Sequence, residues 1–317
     1  MSDKKKVLLV VNPCAGKNKS RAGTYDIVER FSSAEYDFKV KTTKCEGDAT
    51  NIVKKHGEDK DLIVCCGGDG TLNETINGVM QLSKRVPVGY VPAGATNDLA
   101  STMRLPKDIG EATDIIMEGH TNGYDIGLFN NRFFSYVASF GFGCSLAYGT
   151  SQKMKNKLGH AAYVIDGAVL KLPQLLKELK PMHLKMEYDG GFIEDDFYFG
   201  AISNSTSVAG TFKYDPDDIK LDDGLFEVLL VRRVKNPLDI LKLMKKINKK
   251  EFDGDQLLFF KTTKARIVFT EAQDWTLDGE YGGKQKDIRF SVINKAIDIC
   301  SPENPLFVGE KKEKAIK

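Results

Sequence analysis

The chain has 317 residues, 41% of them hydrophobic and 28% charged, with a formal net charge of +2, which reads as an ordinary soluble globular protein of two domains. No apolar run reaches the ~18 residues of a membrane span. The opening MSDKKKVLLVVNP holds too short an apolar stretch for a signal peptide, so a cytoplasmic location is expected.

From residue 7 to about 125, short apolar runs alternate with helix-period stretches: KVLLVV, RAGTYDIVERF, DFKVKT, ATNIVKKH, DLIVCC, TLNETINGVM, VPVGYV and TNDLASTM. That rhythm predicts a parallel sheet covered by helices. In the sixth segment Leu72, Ile76, Val79 and Met80 fall on one helix face. After Asp125 come RFFSYVASF, HLKMEY, DDFYFGAIS, LFEVLLV, LLFFKT, ARIVF and DIRFSVI, with helical candidates only near 161–179 and 237–250. This predicts a strand-rich, antiparallel second domain, with a hinge near 125–130. The expected domains are 1–128 (α/β), 129–299 (β-sandwich) and a tail over 300–317.

The cysteines, Cys14, Cys45, Cys65, Cys66, Cys144 and Cys300, form no C-x-x-C pair, and Cys65 and Cys66 end an apolar run as buried thiols would. Four histidines without ligand-like spacing argue against zinc.

The segment VCCGGDGTLNETINGVM (64–80) places Gly67, Gly68 and Gly70 between a strand and a helix start. Backbone N–H groups and the helix dipole favour an anion there, and glycine lets phosphate approach. Asp69 would repel that phosphate unless a divalent cation stood between them, so it implies Mg²⁺ beside a nucleotide; the alternative is a tight turn whose aspartate caps the helix. The Walker pattern is absent, with Val11 where its first glycine belongs and Asn18 after Lys17. The dinucleotide fingerprint fails at Asn73. Three further polar loops follow predicted strands. VVNPCAGKNKSR carries Asn12, Gly16, Lys17, Lys19 and Arg21, KTTKCEGDATN carries Thr42 and Thr43, and YVPAGATNDLA carries Gly94, Thr96, Asn97 and Asp98. Each alone reads as a turn; together they are what a ligand crevice in an open α/β sheet requires.

The series NPCAGK (12–17), GGDGTLNE (67–74), VPAGATNDLA (91–100), FGFG (140–143), DDGLFEV (222–228) and LDGE (277–280) resembles the diacylglycerol kinase catalytic-domain family, including the small bacterial soluble lipid kinases. The resemblance spans nearly the whole chain. It implies an N-terminal α/β nucleotide-binding domain like that of NAD kinases, a C-terminal β-sandwich for lipid, and a tail returning to the first domain. It implies ATP near Asn12, Gly16, Lys17, Thr43, Gly67, Gly68, Asp69, Gly70, Thr71, Asn73 and Thr96, with Asp69 close to Mg²⁺. Relatives carry Thr or Ser where this chain has Ala95. A structural Mg²⁺ is implied at the Asp223 carboxylate and the carbonyls of Lys220 and Leu225; without the resemblance an ordinary Asp-Gly turn is as good a reading.

Glu280 matches the family's general base, with Asp278 orienting it or binding metal, although a carboxylate in such a turn is commonly a solvated surface group. The expected activity is transfer of the γ-phosphate of ATP to a lipid hydroxyl, foremost that of diacylglycerol. Alternatives are a kinase of a sphingoid base, monoacylglycerol or phosphatidylglycerol, a soluble NAD kinase, and a nucleotide-binding regulator without turnover. In PLDILKLMKKINKK, Ile240, Leu243, Met244 and Ile247 form an apolar stripe flanked by lysines. The segment fits transient contact with an anionic membrane surface, or a helix docked on the sandwich. No nucleic-acid partner is expected, and a homodimer is compatible with the chain.

Overall fold

The computed structural model describes residues 4–16, 19–34, 36–141, 180–208, 212–233, 243, 246, 247, 249–252 and 254–308. They fall into two compact units: Met1–Ile126 with Lys220–Gly224 and Asn294–Lys317, and Gly127–Ile219 with Leu225–Ile293. The reading that placed one boundary at 128 and a tail from 300 did not foresee that 220–224 and 294–299 join the first unit. Lys17, Cys144, residues 142–143 of FGFG, the helical candidate at 161–179 and the chain beyond 308 lie outside the described residues.

In the first unit, β1 (Lys6–Val11), α1 (Lys19–Ser33), β2 (Asp37–Thr42), α2 (Asp48–His56), β3 (Leu62–Gly67), α3 (Asp69–Val79) and β4 (Val88–Pro92) follow the predicted alternation. After them come α4 (Asp98–Thr102) and α5 (Ile109–Glu118). The strands are parallel in the order β2-β1-β3-β4. All five residues of β1 from Val7 to Val11 and every residue of β3 are buried, as helices on both faces of a parallel sheet require. One core cluster joins Val7, Leu9 and Val64 to Ile27 and Phe31 of α1 and Ile116 of α5. On α3 Leu72, Ile76 and Val79 are buried, whereas Met80 lies past the helix end and is only partly covered. Cys65 and Cys66 are buried, and burial pushes the Cys66 thiol up to about 12. α5 was missed, although its signals were present: Asp108 accepts the Glu111 N–H at 3.0 Å, and Gly119 ends the helix at φ 77°.

The chain continues through β5 (Thr121–Phe129), β6 (Arg132–Phe134), β7 (Val137–Gly141), β8 (Met182–Tyr188), β9 (Gly191–Ser203), β10 (Ser207–Val208), β11 (Phe212–Lys213), β12 (Phe226–Arg232), β13 (Leu257–Thr262), β14 (Lys264–Leu277) and β15 (Glu280–Cys300). In the second unit the antiparallel order is β13-β12-β9-β7-β14-β15, and β8 pairs with both β14 and β9. Trp275 is fully buried, its ring centroid 4.8 Å from those of Phe129 and Phe140. Of the basic segment, Leu243 and Ile247 are buried, while Ile240 and Met244 lie outside the described residues. No helix among the described residues is long and apolar enough to cross a membrane.

Candidate functional site

In register, Val11 lies opposite both Thr42 and Cys66, and Gly67 opposite Pro92. The four polar loops therefore leave the sheet along one edge. Strand order reverses between β1 and β3, and a ligand crevice belongs at such a switch point. Asn12 closes it from one side. Its backbone N–H donates to Cys66 O at 3.0 Å, its side-chain amide donates to the Thr71 hydroxyl at 3.0 Å, and its Oδ1 accepts the Cys14 N–H at 3.0 Å. Thr43 continues the sheet, donating its N–H to Val11 O at 2.9 Å.

The glycines act through close approach. A Cβ on Gly94 would stand 2.6 Å from the Gly68 Cα, and one on Gly16, at φ 56°, would stand 2.0 Å from the Ala93 carbonyl oxygen. Three loops thus meet backbone to backbone at these glycines. Gly68 is the N-cap of α3 and supplies no capping side chain, so the helix start suits an anion. Gly70 lies in the first turn of α3; Asn73, one turn on, accepts from the Asn77 side-chain amide at 3.1 Å.

Asp69 opens α3 and reaches across to α4, where Leu99 N–H donates to its Oδ1 at 3.4 Å. Asp98 is the second carboxylate here. Burial pushes its carboxyl above the ordinary range, and both Asp69 and Asp98 act electrostatically on the Tyr90 hydroxyl. Asn97, at φ 53°, holds the last loop: its Oδ1 accepts from Gly94 N–H at 2.9 Å and from the Tyr90 hydroxyl at 3.2 Å. Ala95 and Thr96 are exposed. Lys19 donates to the Lys107 carbonyl, which anchors the first loop to the segment before α5. Two hard carboxylate oxygens beside a backbone cradle are a donor set that fits Mg²⁺ and phosphate.

Elsewhere in the first unit, Lys220 donates to Pro305 O at 2.7 Å. Asp223 lies in the same 220–224 loop, and Leu225 begins the second segment of the second unit. Sequence reading missed the buried Asp125, which accepts from Gly224 N–H at 2.6 Å, Asn294 Nδ2 at 2.8 Å and Lys295 N–H at 2.6 Å. It also missed Asp222, whose carboxylate accepts the Val308 N–H at 2.7 Å and faces Lys295 Nζ at 3.4 Å. These contacts hold the returning tail, where Leu221 N–H donates to Leu306 O at 2.8 Å. Among the described residues no three His, Cys, Asp or Glu side chains cluster as a metal site.

In the second unit, Asp278 and Gly279 form the two-residue turn between β14 and β15, both at positive φ (50° and 82°). Asp278 is buried. Its Oδ2 accepts from Ser135 N–H at 2.6 Å and Ser135 Oγ at 2.7 Å, and its Oδ1 accepts from Tyr136 and Val137 N–H, each at 2.9 Å. The carboxylate thereby braces the turn that exposes Glu280 to solvent. Arg132 donates to Tyr281 O at 3.0 Å on the other side of Glu280.

Comparison with known proteins identifies the family of the chain. The diacylglycerol kinase catalytic domain profile matches residues 6–129. The diacylglycerol kinase of Bacillus subtilis (strain 168) is 31% identical over 282 residues, 88% of this chain and 91% of the relative. That of Staphylococcus aureus (strain MRSA252) is 32% identical over 304 residues, 95% and 94% of the two chains. A Bacillus anthracis (str. Sterne) crystal structure described as a candidate diacylglycerol kinase superposes with a TM-score of 0.81 at 26% identity, covering 97% of this chain and 98% of that one.

Proposed function

Because the chain belongs to the diacylglycerol kinase catalytic-domain family and is a lipid kinase, we propose that it transfers the γ-phosphoryl group of Mg·ATP to the free hydroxyl of diacylglycerol, giving phosphatidic acid. The observation that carries this reading is the meeting of four loops at the carboxyl edge of β2-β1-β3-β4, with Asp69 among them.

Phosphoryl transfer asks the protein for positioning and charge neutralisation more than for covalent chemistry. Gly67, Gly68, Gly70 and Gly94, having no side chains of their own, would let phosphate oxygens approach the backbone N–H groups. Asn12, Thr71 and Asn73 order that edge, Thr43 and Thr96 flank it, and Gly16 brings the first loop against Ala93. Asp69 and Asp98 would hold Mg²⁺, which when bound neutralises charge on the transferring group. Glu280 takes the acceptor proton as the oxygen–phosphorus bond forms and the bond to the leaving ADP oxygen breaks. Asp278 fixes the backbone from which Glu280 projects. Asp223, with its neighbouring carbonyls, is the proposed holder of a second, structural cation.

The acceptor lies in a bilayer, so the enzyme must visit a membrane surface to reach it. Measuring Glu280→Gln tests the assignment: turnover should fall while ATP affinity stays, and unchanged turnover would remove Glu280 as the base. A kinase of another lipid alcohol would share this mechanism and differ only in the acceptor.

A further inference from the structure

Glu74 lies on α3 five residues beyond Asp69 and has no part in the chemistry above. Its side chain is half-buried and spends both oxygens on backbone N–H groups of another segment: Oε1 accepts from Gly47 at 2.8 Å and Oε2 from Ala49 at 3.0 Å. These amides begin α2, whose own N-cap, Gly47 at φ 83°, offers no side-chain cap. A third bond runs from the Thr50 hydroxyl to the Glu74 carbonyl at 2.7 Å. Further along, α2 and α3 touch closely, since a Cβ on Gly78 would stand 2.6 Å from the Val53 Cβ.

The segment anchored in this way is the loop that starts at Thr43. Its near end is tied to β1 by the Thr43–Val11 bond, and Asp48 accepts the N–H groups of Lys44 at 2.7 Å and Cys45 at 3.2 Å. Holding Glu74 there has a cost, because burial, with Glu46 and Asp48 nearby, pushes its carboxyl above the ordinary range. A partly buried carboxylate beside other anions is costly, and the Gly47 and Ala49 N–H donors offset that cost.

We infer that Glu74 is a positioning residue for the nucleotide: it caps α2 from α3 and locks the Thr43 loop to the Gly68–Asp69 loop, so that two walls of the crevice keep one geometry. This rests on the ATP reading above. Glu74 acts through the loop and touches no substrate.

The test uses the full chain as wild type, Glu74→Ala, Thr43→Val and the double variant, with ATP affinity by calorimetry, steady-state kinetics in both substrates, and thermal melts to verify folding. Glu74→Ala should weaken ATP binding and raise its KM about tenfold, leaving the lipid KM and kcat within about twofold. The double variant should lose no more than the larger single loss, since both changes act on one loop. ATP affinity unchanged in folded Glu74→Ala, or additive losses, would overturn the inference. A wild type that binds no ATP would remove the functional reading together with it, whereas binding by wild type and variant alike would remove the inference alone. Should Glu74→Ala fail to fold, Glu74→Gln, which keeps one acceptor and turns a donor toward the other amide, carries the same comparison.

Discussion

The side-chain amide of Asn12 donates to the hydroxyl of Thr71 at 3.0 Å, joining the loop after β1 to the first turn of α3 across 59 residues of sequence. The bond spans the gap where strand order reverses, so it holds together the two loops between which a nucleotide would sit. Replacing Asn12 with Ala should raise the ATP KM about tenfold with little change in Tm, because the neighbouring backbone bond from Asn12 N–H to Cys66 O remains. Initial rates over a range of ATP, with a melting curve alongside, check this; an unchanged KM would mean the bond only joins loops.

Asp98 supplies a pH-dependent prediction. Burial raises its folded-state pKa above the unfolded value. Its favourable contribution is therefore present below the unfolded pKa and is lost as pH rises through the folded one. Ionised Asp98 should cost the metal-free protein stability at neutral pH, and Asp98→Asn should raise the neutral Tm while abolishing turnover. The Tm gain should shrink as pH falls into the carboxylate range. Melts of both proteins from pH 4 to 8 decide it, and a lower neutral Tm for the variant would contradict it.

At Gly94, the predicted effect is steric. An added Cβ would come within 2.6 Å of the Gly68 Cα, so the two backbones would have to part. Gly94→Ala should therefore weaken nucleotide binding by at least about tenfold while the protein stays folded. Calorimetric titration with Mg·ATP reads this directly, and wild-type affinity would show that the loops need not touch.

Asp278 is expected to matter for folding as well as activity. Truncation to Ala would strip an acceptor from three backbone N–H groups and one hydroxyl in a buried place. A loss of about 3 kcal/mol is predicted, together with a fall in kcat as the Glu280 turn loosens. Denaturant unfolding and turnover measured on one preparation test both parts; a stability change below about 0.5 kcal/mol would argue against the bracing role.

Much of the first unit could be read from the chain because its signals are local. Buried strands such as DLIVCC and polar loops after them sit close in sequence, and parallel pairing turns their spacing into a common edge. The two carboxylates at this edge differ. Asp69 stands inside a glycine motif, whereas the raised pKa of Asp98 follows from burial, which no sequence window displays. Asp125 meets Gly224, Asn294 and Lys295 across 99 to 170 positions, so that network, and the inclusion of 220–224 in the first unit, depend on tertiary contacts alone. Asp278 was legible as a turn residue and as a motif member, yet its bracing role appears only once β6, β7 and β14 come together. α5 had a capping aspartate and a terminal glycine but falls outside the strand–loop motifs that drew attention.

The most direct measurement is transfer of labelled γ-phosphate from Mg·ATP into mixed micelles carrying diacylglycerol, monoacylglycerol, a sphingoid base or phosphatidylglycerol in parallel, with NAD as a soluble control. Label in phosphatidic acid, lost in Asp69→Asn and Glu280→Gln, is the predicted result. Label confined to another lipid or to NAD, or full activity in both variants, would contradict it.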